Sequence, residues 1–299
     1  MINVVKTFKW WLGFSAVMLI IGITAMFVYG YNTGIDFAGG TILEVQVAGP
    51  KVPTTTDVKA AIISAYKTQA NLDVAAQTTG DDRYFVRSTQ INNDQKNNIL
   101  TTLQAGFSQV SELRFESVDP TIGSDVVRKA VLAVILAIIG ILLYVAYAFR
   151  RASGEMSAWR FGSAAVLALV HDTIILLGIY AIVGKFFGAE VDSMFITAML
   201  TMLGFSVHDT IVTFDRIREN LRRRAGENIV MLVNDSIVET VVRSINTSFT
   251  LLLVLVAMFF FGGPTIKYFT LAMIIGVVVG TYSSIFIASP LLLMGHKKS

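Results

Sequence analysis

Residues 244–295 read SINTSFTLLLVLVAMFFFGGPTIKYFTLAMIIGVVVGTYSSIFIASPLLLMG, and Lys267 is the only charge among them. A helix needs ~20 apolar residues to cross ~30 Å of hydrocarbon. The stretch therefore has room for two membrane spans, with Lys267 in the turn between them. Working outward, charged residues mark off four more windows. No charge falls between Lys9 and Asp36, or between Lys129 and Arg150. The window between Arg160 and Lys185 holds one acid, Asp172, and that between Asp192 and Asp215 holds one acid, Asp209. Over the whole 299 residues, 54% are hydrophobic and 15% charged. Mean hydropathy is +0.64. Soluble chains carry roughly 25% charged residues, so an ordinary soluble enzyme and a disordered chain are both excluded.

The expected fold class is an α-helical polytopic membrane protein with six transmembrane helices and one α+β, ferredoxin-like extracytoplasmic head. We place the spans at 10–31, 126–149, 161–184, 193–214, 244–263 and 268–293. Segments 1–9 and 294–299 are short termini, and 215–243 is a loop with an amphipathic helix. The first window is too long for a signal peptide, and Val28-Tyr29-Gly30-Tyr31 is a poor cleavage site, so it is expected to stay as a span. Lys6, Lys9, Arg150, Arg151, Arg160, the arginines of 216–224 and Lys297–Lys298 all fall on one side of a six-span chain. The positive-inside rule makes that side, and both termini, cytoplasmic. The arginine cluster is then a membrane-side anchor, not a nucleic-acid site. Within 229–241, Ile229, Val233, Ile237 and Val241 at steps of four suggest a helix lying on the cytoplasmic interface. Cysteine is absent, which removes disulfides, thiolate metal sites and a cysteine nucleophile.

The one long polar stretch, 32–125, lies between the first two spans and carries 11 acids and 7 bases. Its pattern reads β-α-β-β-α-β: strand 41–47, helix 56–69, strands 72–78 and 84–88 around a Gly80-Asp81-Asp82 turn, helix 93–107 and strand 112–118. That order is the split-βαβ, ferredoxin-like pattern. The head has no His or Cys and its acids are scattered, so it reads as a binding or structural module. Gly34-Ile35-Asp36-Phe37-Ala38-Gly39-Gly40 leads into the first strand, and its glycines imply tight turns with unusual φ. Asp119-Pro120-Thr121-Ile122-Gly123 leads out, with Ser124 expected as the helix cap.

Polar groups inside the spans carry the functional signal. Val170-His171-Asp172-Thr173-Ile174 recurs as Val207-His208-Asp209-Thr210-Ile211. A charge at mid-membrane costs ~2.5–3.5 kcal/mol on insertion scales, so such acids face protein or water. A carboxyl withdrawn from water holds its proton more readily, which makes both acids candidate proton carriers. Arg243, Asn246, Thr247 and Thr250 form one helical stripe in the fifth span. Asp209 and Arg243 lie at similar depth on antiparallel helices, and Ser206 and Thr213 flank Asp209 on its own face. The functional reading is a proton relay of Asp209, Arg243, Ser206, Thr213, Asn246 and Thr247, with His208 and Asp172 beside it. The structural alternatives are a snorkelling arginine and interhelical hydrogen bonds. Ala272, Gly276, Gly280, Ser284 and Ala288 form a small-residue stripe that reads as helix packing.

Several of these stretches resemble the SecD/SecF protein-export family. Gly34, Asp36, Phe37, Gly39 and Gly40, followed by Thr41-Ile42-Leu43-Glu44, are similar to its glycine motif. Residues 204–220 (GFSVHDTIVTFDRIREN) and 239–248 (ETVVRSINTS) resemble the motifs of the fourth and fifth spans on its SecF side. The length fits that side and six spans exclude a fused pair. The resemblance implies half of an RND-like unit completed by SecD. It also implies association with the SecYEG channel, SecA and YajC-type accessory subunits in the bacterial cytoplasmic membrane, with preproteins as substrates. The proton motive force would drive late export. Asp209 and Arg243 match the residues linked to proton flow, whereas His208 stands where members often carry Asn. No enzymatic activity, cofactor, metal or nucleic-acid partner is implied. The alternatives are half of a proton-driven exporter of small molecules or lipids and, ranked last, a hydrolase using His171 and Asp172.

Overall fold

The computed structural model describes residues 4–48, 54–78, 82–150 and 156–294. Residues 1–3, Gly80 and Asp81 of the expected turn, Arg151 and residues 295–299 lie outside the described residues. The chain forms two compact units, Thr33–Ala130 and the remainder.

The head unit has the expected element order. A one-turn helix α2 (Ile35–Ala38) precedes β1 (Gly40–Ala48). Then come α3 (Thr55–Ala70), β2 (Ala75–Thr78), β3 (Arg83–Ser88), α4 (Asn93–Gly106) and β4 (Gln109–Val118). The strands form one sheet in the order β2-β3-β1-β4 with every neighbour antiparallel. Alternation in β1 puts Leu43, Val45 and Val47 on one face. They are buried with Val58, Ile62 and Tyr66 of α3 and Ile99 and Leu103 of α4. The register between β1 and β4 shifts after Glu44, leaving Leu113 as the extra residue of a bulge. Both helices start on capping boxes, Thr54 with Asp57 and Asn92 with Gln95.

The glycine motif has a defined mechanical role. Gly39 (φ 73) and Gly40 (φ 122) adopt backbone conformations that favour glycine. A Cβ on Gly39 would lie 2.6 Å from the Pro120 Cα, and one on Gly123 would lie 2.6 Å from the Phe37 carbonyl oxygen. The turn into β1 is thus seated directly against the first turn of α5 (Pro120–Ala148). That helix begins earlier than Ser124. Asp119 accepts from Thr121 N at 2.8 Å, and Pro120 occupies the first turn, where a missing N–H is harmless. Ser124 instead donates to the Thr121 carbonyl inside the helix (2.8 Å).

The second unit holds α1 (Phe8–Tyr29), α6 (Ala158–Phe187), α7 (Ser193–Arg223), α8 (Ile229–Phe261) and α9 (Pro264–Ser283), with α5 beyond Ala130. A π-helical turn, Ser284–Ala288, and the short α10 (Ser289–Leu291) extend α9. Among the described residues, six helices are long and apolar enough to cross a membrane. Half or more of the most apolar windows of α6, α7 and α9 is buried, against 17% for α1 and α8 and 11% for α5. The first three are therefore the centre of the unit. Segment 229–241 is not a separate interfacial helix. It contains no Gly or Pro to stop it and runs unbroken into the fifth span. Its apolar stripe Ile229, Val233 and Ile237 is buried in the helical core instead of lying on lipid.

Close approach is bought with glycine at two crossings. A Cβ on Gly178 of α6 would lie 2.2 Å from the Gly22 Cα of α1. On α9, Cβ atoms at Gly276 and Gly280 would lie 2.1 Å from Met202 Cγ and 2.8 Å from Ser206 Cβ of α7. The small-residue stripe of α9 is thus a packing face toward α7.

Candidate functional site

The tight α7–α9 crossing assembles a buried polar knot. Asp172 on α6 has 0% exposure. Its Oδ2 accepts from Ser206 Oγ of α7 and from Ser283 Oγ of α9, both at 2.7 Å. Its Oδ1 lies 2.9 Å from His171 Nδ1. One carboxylate therefore ties three helices together. Ser283 directly precedes the π-helical turn, a distortion that recurs at functional sites. His171 is itself buried, with its Nε2 lacking a partner among the described residues.

Asp209 faces a different seam. It is 3% exposed and its Oδ2 is buried with no hydrogen-bond partner among the described residues. The polar side chains beside it are His208 on its own helix and Ser248 and Ser244 of α8. Ser236, Thr240, Ser244 and Ser248 recur every four residues along α8, all buried. They form a ladder toward α7. Asn220 Nδ2 donates to Ser236 Oγ (2.9 Å), and Thr213 and Thr240 hydroxyls meet at 3.3 Å. Ser248 Oγ and Thr281 Oγ1, 2.5 Å apart, extend it to α9.

This ladder is one residue out of step with the predicted stripe. Arg243, Asn246, Thr247 and Thr250 are all exposed on α8, and among the described residues no ion pair joins Arg243 to Asp209. Small hydroxyl residues let two helix backbones approach, whereas a long arginine is readily accommodated outside the seam. Thr247 Oγ1 turns only to its own helix, to the Arg243 and Ser244 carbonyls at 3.0 and 2.9 Å. His208 is also exposed. The structure therefore brings together Asp172, Ser206 and Ser283 in one cluster, and Asp209, Thr213, Ser244 and Ser248 along another. Ser283, Ser244 and Ser248 were missed. For Ser244 and Ser248 the signal is the hydroxyl repeat at 236, 240, 244 and 248.

Arg243 opens onto a cleft of about 610 Å³ at the end of α7 and α8, lined also by Asp215, Arg216, Glu219 and Glu239. The arginine cluster beside it is paired, not free. Arg216 binds Glu239 and Glu219, Arg218 binds Asp215 (2.6 Å), and Arg224 bridges Glu227 and Asp235 (2.9 Å). Arg224 holds Glu227 below the usual carboxylate range, chiefly by hydrogen bonding.

Comparison with known proteins places these motifs. Residues 98–298 match the family model "Protein export membrane protein SecD/SecF, C-terminal", and residues 24–51 match "SecD/SecF GG Motif". A "Protein translocase subunit SecF" from Thermobaculum terrenum is 43% identical over 95% of this chain and 90% of its own length. One from Anaerolinea thermophila is 38% identical over 98% and 94%. A "Protein translocase subunit SecDF" from Brucella abortus is 36% identical over 94% of this chain and 35% of its own length. Among solved structures, SecDF from Thermus thermophilus, described as a translocon-associated membrane protein, has a TM-score of 0.80 at 31% identity. It covers 98% of this chain and 38% of that one. The "Super-membrane-facing form" of SecDF gives 0.68.

Proposed function

The chain belongs to the SecD/SecF family as a multi-pass membrane subunit of Sec protein export, and on that premise we propose that it couples proton entry to preprotein movement through Asp209. The observation that carries this reading is a carboxyl group buried within an apolar helix, one oxygen of which has no hydrogen-bond partner among the described residues. An unpaired polar atom in such a place is expensive, and an acid there serves as a functional group by default. Loading and releasing a proton changes its demand for the α8 hydroxyls beside it. That switches the α7–α8 seam between two pairings.

Arg243 acts from the neighbouring cleft. It lies one residue before Ser244 of the ladder, some 100° round α8, so a rotation of that order would carry it toward Asp209. Ser206, Thr213, His208, Asn246 and Thr247 on α7 and α8, and Asp172 on α6, are relay or positioning groups. One charge falling through 100 mV delivers ~2.3 kcal/mol. A few protons per cycle therefore suffice to invert the populations of two head orientations.

A SecD-type subunit completes the unit, as the fused SecDF relatives suggest, and the pair works beside the SecYEG channel, SecA and a YajC-type subunit. The membrane is the bacterial cytoplasmic membrane, with both termini inside. The head, a ferredoxin-like module by its strand order, lies outside and handles the emerging chain. The test is Asp209→Asn in cells with normal levels of the subunit. Export of secretory precursors should slow, and export at the wild-type rate would overturn the proposal.

A further inference from the structure

We propose that His171 and Asp172 form a second proton-binding site in the helical unit, where the proton sits on Nε2 of His171 and Asp172 is its fixed counter-charge. The inference rests on the proton-coupled reading above and adds a site on α6 to the one on α7.

The donors around Asp172 define its state. Two serine hydroxyls donate to Oδ2 and the His171 Nδ1 faces Oδ1. A carboxylate is an acceptor only, so it takes all three bonds without conflict. With Asp172 ionised, as proposed, the Nδ1 of His171 carries the hydrogen of that contact. In a neutral imidazole the other nitrogen then holds a lone pair. That nitrogen, Nε2, is buried and has no partner among the described residues. The group left open in this knot is a base, oriented by the acid next to it.

Charge favours its use. Without the extra proton the pair carries one negative charge in an apolar surround, and with it the pair is neutral overall. Proton uptake thus removes net charge from the interior instead of adding it. The position is also right. His171 lies near the middle of the 30-residue α6, about 20 Å from each end at 1.5 Å per residue.

No neighbouring charge competes among the described residues. From α1, which is charge-free from Trp10 to Tyr29, comes Ser15. From α9 come Ser283 and Tyr282, whose ring centroid is 6.4 Å from the imidazole. The Tyr282 hydroxyl is engaged with Ser15 Oγ and the Trp11 carbonyl, each at 3.0 Å. From α7 comes Ser206, and the π-helical turn Ser284–Ala288 brings no ionisable group. Asp209, three residues beyond Ser206, belongs to the seam with α8. The same pentapeptide on α7 leaves its histidine exposed. Burial of His171 is therefore a product of the fold and not of the local sequence.

The chain has three histidines, which makes the test direct. The full chain, labelled with 15N-histidine in lipid nanodiscs, is titrated by NMR, and His208→Asn assists assignment. His171 should show hydrogen on Nδ1 and a bare Nε2 at neutral pH, and Nε2 should gain a proton as pH falls. Asp172→Asn should weaken that proton binding by about tenfold or more, because the counter-charge is gone. A wild-type His171 with hydrogen on Nε2, or one that never protonates over the pH range the protein withstands, overturns the proposal. So does unchanged proton binding in Asp172→Asn. The wild-type titration stands even where that variant fails to fold. It reads this site alone, so its result is independent of whether export depends on Asp209.

Discussion

Gly178→Ala is predicted to destabilise the helical unit, while Gly22→Ala at the same crossing is predicted to leave it nearly unchanged. A Cβ built on Gly178 lies 2.2 Å from the Gly22 Cα, 2.8 Å from its carbonyl carbon and 2.9 Å from its oxygen. All three are backbone atoms and cannot rotate away. Reaching an ordinary contact near 3.4 Å requires α1 to retreat by about 1.2 Å or α6 to turn. Overpacking of this kind costs about 1–3 kcal/mol, which lowers the folded-to-unfolded ratio by roughly 5- to 150-fold. A Cβ on Gly22 meets Gly178 Cα and the Ile174 carbonyl at 3.5 Å, an ordinary contact. Its effect should stay within about 0.5 kcal/mol. The assay is SDS-driven unfolding of the full chain in mixed micelles, followed by helical circular dichroism. Equal stability of Gly178→Ala and wild type would refute the reasoning. Equal loss in both variants would do so too, because it would mean that the crossing tolerates no side chain from either helix.

Ser206→Ala and Ser283→Ala each remove one donor to Asp172. Each should lower stability in the same unfolding assay by about 0.6 kcal/mol, with about 1.7 as the upper bound known for such interhelical bonds. Asp119 is held below the usual carboxylate range by its bonds from the Thr121 hydroxyl and N–H. A lowered folded-state value means that its stabilisation is present above the unfolded value and fades as pH falls through the folded one. Amide exchange in the first turn of α5 should therefore accelerate on acidification, and Asp119→Asn should flatten that dependence while still capping the helix.

Much of this architecture could be read from charge-free windows and periodicity. The six spans follow from the scarcity of charge. The head follows from alternation at Thr41–Val47 and from helical spacing at Val58, Ile62 and Tyr66, because one face of each element must be buried. What escaped depended on rotation about a helix axis. Ser244 and Arg243 are adjacent in sequence but some 100° apart on α8, and sequence alone did not say which faced α7. The buried hydroxyl ladder of α8 decides that: Ser244 is buried and Arg243 exposed. The duplicated pentapeptide is the clearest case. Its two copies have the same letters, yet His171 is buried against Asp172 while His208 is exposed. Their surroundings come from Ser206, Ser283 and Tyr282, which are distant in the chain from at least one copy. Continuity of α8 was missed for another reason: acids at 235 and 239 suggested a surface helix, but they pair with Arg224 and Arg216.

Passage of protons through Asp209 underlies the proposed coupling. Its most direct test is proton flux in proteoliposomes containing the full chain with its SecD-type partner, read by an internal pH-sensitive dye after a membrane potential is imposed. Wild type should acidify the lumen, and Asp209→Asn should lose that acidification at equal protein incorporation. Undiminished flux in that variant would contradict it.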